Sequence, residues 1–332
     1  MMDRAIFEAI VAEAMLAPSA HNTQPVRWAQ SGEGVTVYAD TSRRLPVGDP
    51  NDRDFQIACG AAVEATVLSF SARGFGADVT WLDSIDKGEL RPVASVTPKG
   101  AARPDDVALA QYVKNRITHR TGFSVSPDDV WSGWHDNNVT LIQKSDQIKW
   151  LATRIDHASA AIMRDQNFRT ELLHWMRMKP TSAGYHSDGL NNEALVMDRL
   201  SAVLAPSVLG TKLYDLLAWL GLGPALSGEA ARTSGAGAIA LFHWPVDGSM
   251  YEAGRAFYRY WLAATTRGLV GWPAAALADH PATCATVCQR FGISKERMLL
   301  NALRLGAAKG ETPNRTRLNV SDVIIEIDTP RG

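Results

Sequence analysis

Two segments of this 332-residue chain, IACGAAVEATVLSFSARGFG and YEAGRAFYRYWLAATTRGLV, constrain its fold more than any other feature. Each places a Gly early, small residues through its middle and an Arg-Gly pair at its end. The first belongs to a run from Arg53 to Arg73 with so few polar residues that a helix there must bury most of its faces. The second reads as a helix over 251–269. Together they form a weak internal repeat of about half the chain. Two readings are open at this point: two unrelated buried helices that each end on a C-cap glycine, or the centres of two equivalent halves. Nothing repeats at 20 to 50 residues, which excludes a solenoid.

The flanking patterns support a restart of the same order. A helical stripe from Arg4 to Ala17 is stopped by Pro18, and strands are predicted at Val35–Ala39, Asp78–Leu82 and Pro92–Thr97. KGAARPDD, around residues 99–106, reads as a linker. Beyond it a helix ends at VKNRITHRTGF, and a strand (Val139–Gln143) precedes a helix (Asp146–Arg164). A polar stretch with Met and Gly runs from Trp175 to Asn192, followed by helices at 193–204 and 208–220. Strands are expected at 236–244, at 300–305 and at Val323–Ile327. Apolar residues make up 46% and charged residues 21%, with a formal charge of -1, so neither nucleic acid nor an anionic membrane is an expected partner. Three Cys, at 59, 284 and 288, argue against a disulfide scaffold and for a reducing compartment. Asp3, Glu8 and Glu13 interrupt the N-terminal apolar stretch as no signal-peptide core would allow, and a cytoplasmic protein is expected. His280, Cys284 and Cys288 share a helix face, but no fourth ligand is evident and no metal is expected. There is no GxSxG elbow and no GxGxxG fingerprint after a strand.

The turn between the first helix and the first strand, LAPSAHNTQPVRW, is richer in Pro, Asn and Gln than such a connection needs. Pro18-Ser-Ala-His-Asn-Thr-Gln-Pro25 resembles the PSxxNxQP motif of the FMN-dependent nitroreductase superfamily. Arg116-Ile-Thr-His-Arg120 resembles its RxSxR motif, with Thr in the Ser position, and Pro313-Asn-Arg-Thr-Arg317 its C-terminal basic segment. The order, with PSxxNxQP ahead of both basic motifs, is similar to the single-chain Acg-type subfamily, in which two nitroreductase-like halves are fused.

The resemblance implies an α+β fold of two pseudo-symmetric halves, each a mostly antiparallel sheet with flanking helices. It divides the chain into residues 1–100, on the flavin ring side, and 101–332, on the phosphate side, with a lid-like insertion near 175–192. It implies FMN as cofactor, held by Ser19, Asn22 and Gln24 from the first half and by Arg116, Thr118, Arg315 and Arg317 from the second. Arg120 is expected beside the ring, where a cation stabilises the charge that reduction builds. Gly271 is expected to present its backbone N–H to the ring, and both residues are placed in the catalytic set. The implied activity is hydride transfer from NAD(P)H to flavin and on to a small nitroaromatic, quinone or other organic acceptor by a ping-pong mechanism. A flavin-sequestering protein with little turnover, and an FMN enzyme that oxidises a dedicated substrate without nicotinamide, are the alternatives. One flavin site is expected, because the first half has no RxSxR and the second no second PSxxNxQP. A pseudo-dimer within one chain has no need of a partner subunit, so a monomer is expected. His21 and His119 fall within the motifs and are expected to face solvent, and Trp175, Met176 and Met178 are candidates for lid or core.

Overall fold

The computed structural model describes residues 2–82, 88–220 and 228–326. Helix α1 (Arg4–Ala14) starts on Asp3, whose carboxylate accepts the Ala5 N–H at 2.8 Å, and buries Phe7, Ile10, Val11 and Ala14. Strands β1 (Val26–Ser31) and β2 (Gly34–Asp40), helix α2 (Arg53–Ser71), and strands β3 (Phe75–Trp81) and β4 (Leu90–Ala101) complete the first unit. Its sheet is antiparallel, in the order β1-β2-β4-β3. Helix α3 (Pro104–Ala110), strand β5 (Phe123–Ser124) and strand β6 (Val139–Ile142) open the second unit. A long insertion follows, with helices α4 (Ser145–Ile162) and α5 (Gln166–Trp175), the two-residue strands β7 (Met176–Arg177) and β8 (Leu190–Asn191), and helices α6 (Asn192–Leu195), α7 (Arg199–Leu209), α8 (Lys212–Trp219) and α9 (Ala230–Thr233). Strand β9 (Ala238–Pro245), helix α10 (Met250–Thr266), strand β10 (Val270–Pro273), helices α11 (Ala276–Asp279) and α12 (Pro281–Phe291), and strand β11 (Arg297–Ala308) end the second sheet. A short helix α13 (Val320–Val323) closes the described chain.

The two sheets share one topology. In each, two main strands precede the long helix and two follow it, and the spatial order is first, second, fourth, third: β1-β2-β4-β3 and β6-β9-β11-β10. Strand β5 adds only a two-residue pairing to β11. The fold is therefore α+β and duplicated, with the insertion lodged between β6 and β9 of the second copy.

The long helices α2 and α10 pack against each other at the centre. A Cβ on Gly60 would overlap the backbone carbonyl of Tyr251, and a Cβ on Gly254 would overlap that of Ile57. Ile57 stands three residues before Gly60, and Tyr251 three before Gly254. The contact is thus reciprocal, as across a twofold axis, and only glycine permits it at either point. All of α2 from Ala58 to Ser71 is buried. Its hydroxyls are satisfied within the helix: Thr66, Ser69 and Ser71 donate to the carbonyls four residues back at 2.8, 2.9 and 3.2 Å. Its one interior acid, Glu64, is fully buried and takes Arg255 at 2.7 Å and Arg259 at 2.5 Å from α10, while Arg259 also bonds Asp106 at 2.7 Å.

Several elements differ from the sequence pattern: α5 and β10 are absent from it, the helix expected at 193–204 breaks at the left-handed Val196 into α6 and α7, and the helix expected to end at VKNRITHRTGF stops at Ala110. Three further differences bear on how the units pack. Strand β1 is absent from the pattern, because Arg27 interrupts the apolar run. Arg27 is nonetheless buried, paired with Asp40 of β2 at 2.7 Å. The stretch read as a linker is narrower: β4 runs to Ala101 and α3 begins at Pro104. The expected terminal strand is instead α13, held by a reciprocal Asn319–Asp322 capping box, followed by a single bridge from Ile324 to Trp28 of β1. Ile327 lies outside the described residues. The C-terminal segment thus returns from the second unit to pack on the first.

Gly60→Ala and Gly254→Ala should each destabilise the protein by about 3 kcal/mol or more, beyond the usual cost of overpacking because backbone rather than a side chain must move. Urea unfolding midpoints check this, and a variant of wild-type stability would show that the helices are not held at this contact.

Candidate functional site

The turn after α1 is built from left-handed backbone. His21, Asn22 and Gln24 have φ of 47°, 55° and 50°, a region most side chains avoid and Asn tolerates best. Ser19 holds the turn together, its hydroxyl accepting the Gln24 N–H at 2.9 Å. Asn22 and Gln24 then tie three segments of chain. The Asn22 amide donates to the carbonyls of Gly189 (3.2 Å) and Thr316 (3.3 Å), and its oxygen accepts from Arg317 at 2.8 Å. Gln24 donates to the Ser187 carbonyl at 2.7 Å and accepts the Leu318 N–H at 3.0 Å.

Residues 116–120 run beside β10, where Thr118 bridges Gly271 and the His119 N–H bonds the Gly271 carbonyl at 3.0 Å. This brings Arg116, Thr118 and Arg120 to one wall of a cleft of about 660 Å³, partly open to solvent. Arg315 and Arg317 form another wall, and Ser19 and Asn22 line the side contributed by the first unit. Seven of the nine residues singled out in the sequence therefore share one space. Gln24 lines an apolar pocket behind the turn instead, with both ends of its amide already bonded. Gly271 lines neither the cleft nor its neighbour; a side chain there would collide with the Trp261 indole nitrogen, so glycine is required by packing. Tyr258 and Trp261 were not legible as site residues. The Arg116 guanidinium stacks over Trp261 at 4.5 Å and Tyr258 at 5.9 Å, and their three-residue spacing on α10 is the only sequence signal for it.

The charge in the cleft is one-sided. Among the described residues no carboxylate lines it, and none of Arg116, Arg120, Arg315 and Arg317 forms an ion pair. Their donors are spent on neutral carbonyls: Arg116 on Leu16 (2.8 Å), Arg317 on Met15 (2.9 Å), and Arg120 on Ala194 (2.9 Å). Some of that charge caps the C-terminal end of α1. The rest is uncompensated. Burial, reinforced by Arg116 and Arg315, pushes the Arg317 guanidinium down to about 9. Burial pushes Arg116 down to about 10, with Arg315 adding repulsion. Arg120 also falls to about 10 through burial; Glu229 opposes this from a distance, being itself bonded to Arg304 at 2.7 Å. A guanidinium stays charged at neutral pH, so these shifts express a cost that an anion in the cleft would remove. Arg116 Nε is buried with no partner. A phosphate-bearing ligand such as FMN fits this donor set.

A second cavity, of about 1030 Å³ and partly open, shares Pro18, Ser19, His21, Thr118 and Arg120 with the first. Phe257 and Trp261 of α10 and Ile57 of α2 form its floor, so it sits against the central helix contact. His21 lies between the two spaces and stays partly exposed, and burial of its ring pushes it down to about 4, so it is neutral at pH 7. His119, expected to face solvent, is fully buried, 3.0 Å from the Lys309 carbonyl. From the insertion, Gly189, Leu190 and Ala194 line the cleft. Trp175 and Met178 are buried.

No family model matches the chain. Over 117 residues, 34% of this chain, it is 32% identical to "Putative NAD(P)H nitroreductase Rv3131" of Mycobacterium tuberculosis, covering 33% of that protein. Over 212 residues, 59% of this chain, it is 27% identical to "Putative NAD(P)H nitroreductase acg" of the same organism, covering 60% of it. The matches thus span a third to three fifths of these relatives' lengths. Among solved structures, the FMN-dependent nitroreductase NfnB from Mycobacterium smegmatis, in complex with NADPH, aligns over 63% of this chain and 94% of its own at 18% identity, with a TM-score of 0.34.

Inorganic phosphate should stabilise the ligand-free protein, by about 2.7 kcal/mol at a hundredfold excess over its dissociation constant. Arg315→Ala should lose most of this gain. Thermal melts across a phosphate titration check both, and equal stabilisation of the two proteins would show that the anion binds elsewhere.

Proposed function

We propose that the chain, a member of the nitroreductase superfamily, is an oxidoreductase that holds one FMN between its two duplicated halves and passes reducing equivalents from NAD(P)H to a small organic acceptor. The observation that carries this is the group of four guanidiniums without a carboxylate around the cleft, opposite Ser19 and Asn22. Bound FMN would supply the hydride chemistry, so no catalytic nucleophile is needed. Arg315 and Arg317 would bind the phosphate, with Arg116 behind them on its Trp261 platform. Thr118 and Asn22 would fix the chain that joins phosphate to ring. Arg120, in the wall shared by both cavities, would meet the negative charge that reduction places on the ring. Neutral His21 would leave that charge to Arg120.

The duplicated topology supports reading the chain as two fused halves, divided near residue 100, with the insertion closing over the cleft through Gly189 and Ala194. It also supports a single site. The residue of α2 that corresponds to Tyr258, seven positions after the start of each reciprocal contact, is Glu64. There the space is filled by the closed Glu64–Arg255–Arg259–Asp106 network, which offers nothing to an anion. A ping-pong cycle follows if reductant and acceptor use the second cavity in turn.

Arg315→Ala should weaken FMN binding by roughly 10- to 150-fold, the loss of a charge-assisted bond worth about 1.5–3 kcal/mol. Arg120→Ala should lower the midpoint potential more than it weakens binding, since its charge matters chiefly in the reduced state. Equilibrium FMN titrations and spectroelectrochemistry measure both. Exchange of the two effects would reverse the assigned roles. Anaerobic bleaching by NAD(P)H would separate a reductase from a protein that only sequesters flavin.

A further inference from the structure

The second cavity differs from the cleft in bringing carboxylates into its wall. Asp49, Asp54 and Asp279 line it, with Arg120 and the neutral His21 as the basic residues among those described. Arg53 is shared, bonding Asp54 at 2.8 Å and Asp279 at 2.5 Å. One guanidinium therefore serves two carboxylates, while Asp49 is held by backbone N–H groups, that of Phe55 at 2.8 Å and that of Asp54, with Arg53 acting on it only at a distance. The crowding is visible in the acids themselves. Burial, with Asp54 adding repulsion, pushes Asp279 up to about 7, and the same two causes raise Asp49.

Phe168, Phe257 and Trp261 contribute aromatic faces to a wall that is otherwise largely small and aliphatic, Leu45, Ile57 and Ala58 included. Two buried polar atoms of this wall have no partner, Trp261 Nε1 and Asn301 Oδ1. Trp261 is 1% exposed. Aromatic faces and carboxylates together attract organic cations, which lose little hydration on entering such a space. An anion would meet the acids at close range in a partly dry cavity, where repulsion is strong.

We infer that this cavity selects cationic aromatic compounds and rejects anionic ones, so that the acceptor is a positively charged or ammonium-bearing aromatic. The inference rests on the reading of the adjoining cleft as the FMN site only for its use of the word acceptor; the binding preference belongs to the cavity itself. Asp54 and Asp279 are its specificity-determining residues, and Arg53 keeps a partner when either one is replaced.

The test is calorimetric binding, without reductant, of (4-nitrobenzyl)trimethylammonium and 4-nitrobenzoate to the FMN-saturated protein. The ammonium should bind at least about tenfold more tightly than the benzoate. Asp54→Asn and Asp279→Asn should each narrow that ratio by about threefold or more, with FMN affinity and melting temperature unchanged. Equal or tighter binding of the benzoate would overturn the inference, as would an undiminished ratio in both variants. If the protein binds no FMN, the proposed oxidoreductase function fails. The same two probes, applied to the flavin-free chain, then still decide the cavity's preference by the same ratio.

Discussion

Everything in this molecule is arranged around one contact, the reciprocal approach of Gly60 to Tyr251 and of Gly254 to Ile57. The two helices meet backbone to backbone, and each also packs on strands of its own unit. Cavities then form where the halves adjoin. Ile57 and Ala58 of α2 and Phe257 and Trp261 of α10 wall the same space. Larger residues at the two glycines would push the helices apart and with them the PSxxNxQP turn from the arginines that face it.

The second organising principle is charge separation. Four guanidiniums gather on one side of a shared wall with no acid among them, and three carboxylates on the other. Unpaired buried charge is costly in a chain stable by only several kcal/mol. The same chain closes a comparable charge cluster completely at Glu64, where Arg255, Arg259 and Asp106 leave no open site. The contrast between a filled position and an open one on paired helices is why the open one reads as a binding site rather than as a surface charge run.

Much of this was legible in the sequence, because motif chemistry and helix composition are local. The two long segments marked the paired helices, though the backbone contact that their early glycines permit was not read from them, and RITHR and PNRTR supplied the arginines that reach one cleft. What the sequence did not reveal depends on tertiary pairing. β1 carries a buried Arg27 that only the Asp40 across the sheet makes tolerable. Gln24 lies inside a flavin-like motif, yet its amide ties Ser187 to Leu318, far apart in the chain. Ala194 meets Arg120 through a carbonyl, which no side-chain pattern records. Asp54 and Asp279 lie 225 positions apart and meet only through Arg53.

The central claim is that one chain, by fusing two halves, builds one complete FMN site. Native mass spectrometry of the protein titrated with FMN tests it most directly. The account predicts a single FMN on each 36.1 kDa chain, carried by the monomeric species, with no second addition at saturation. Two flavins per chain, or flavin found only on dimers, would contradict it.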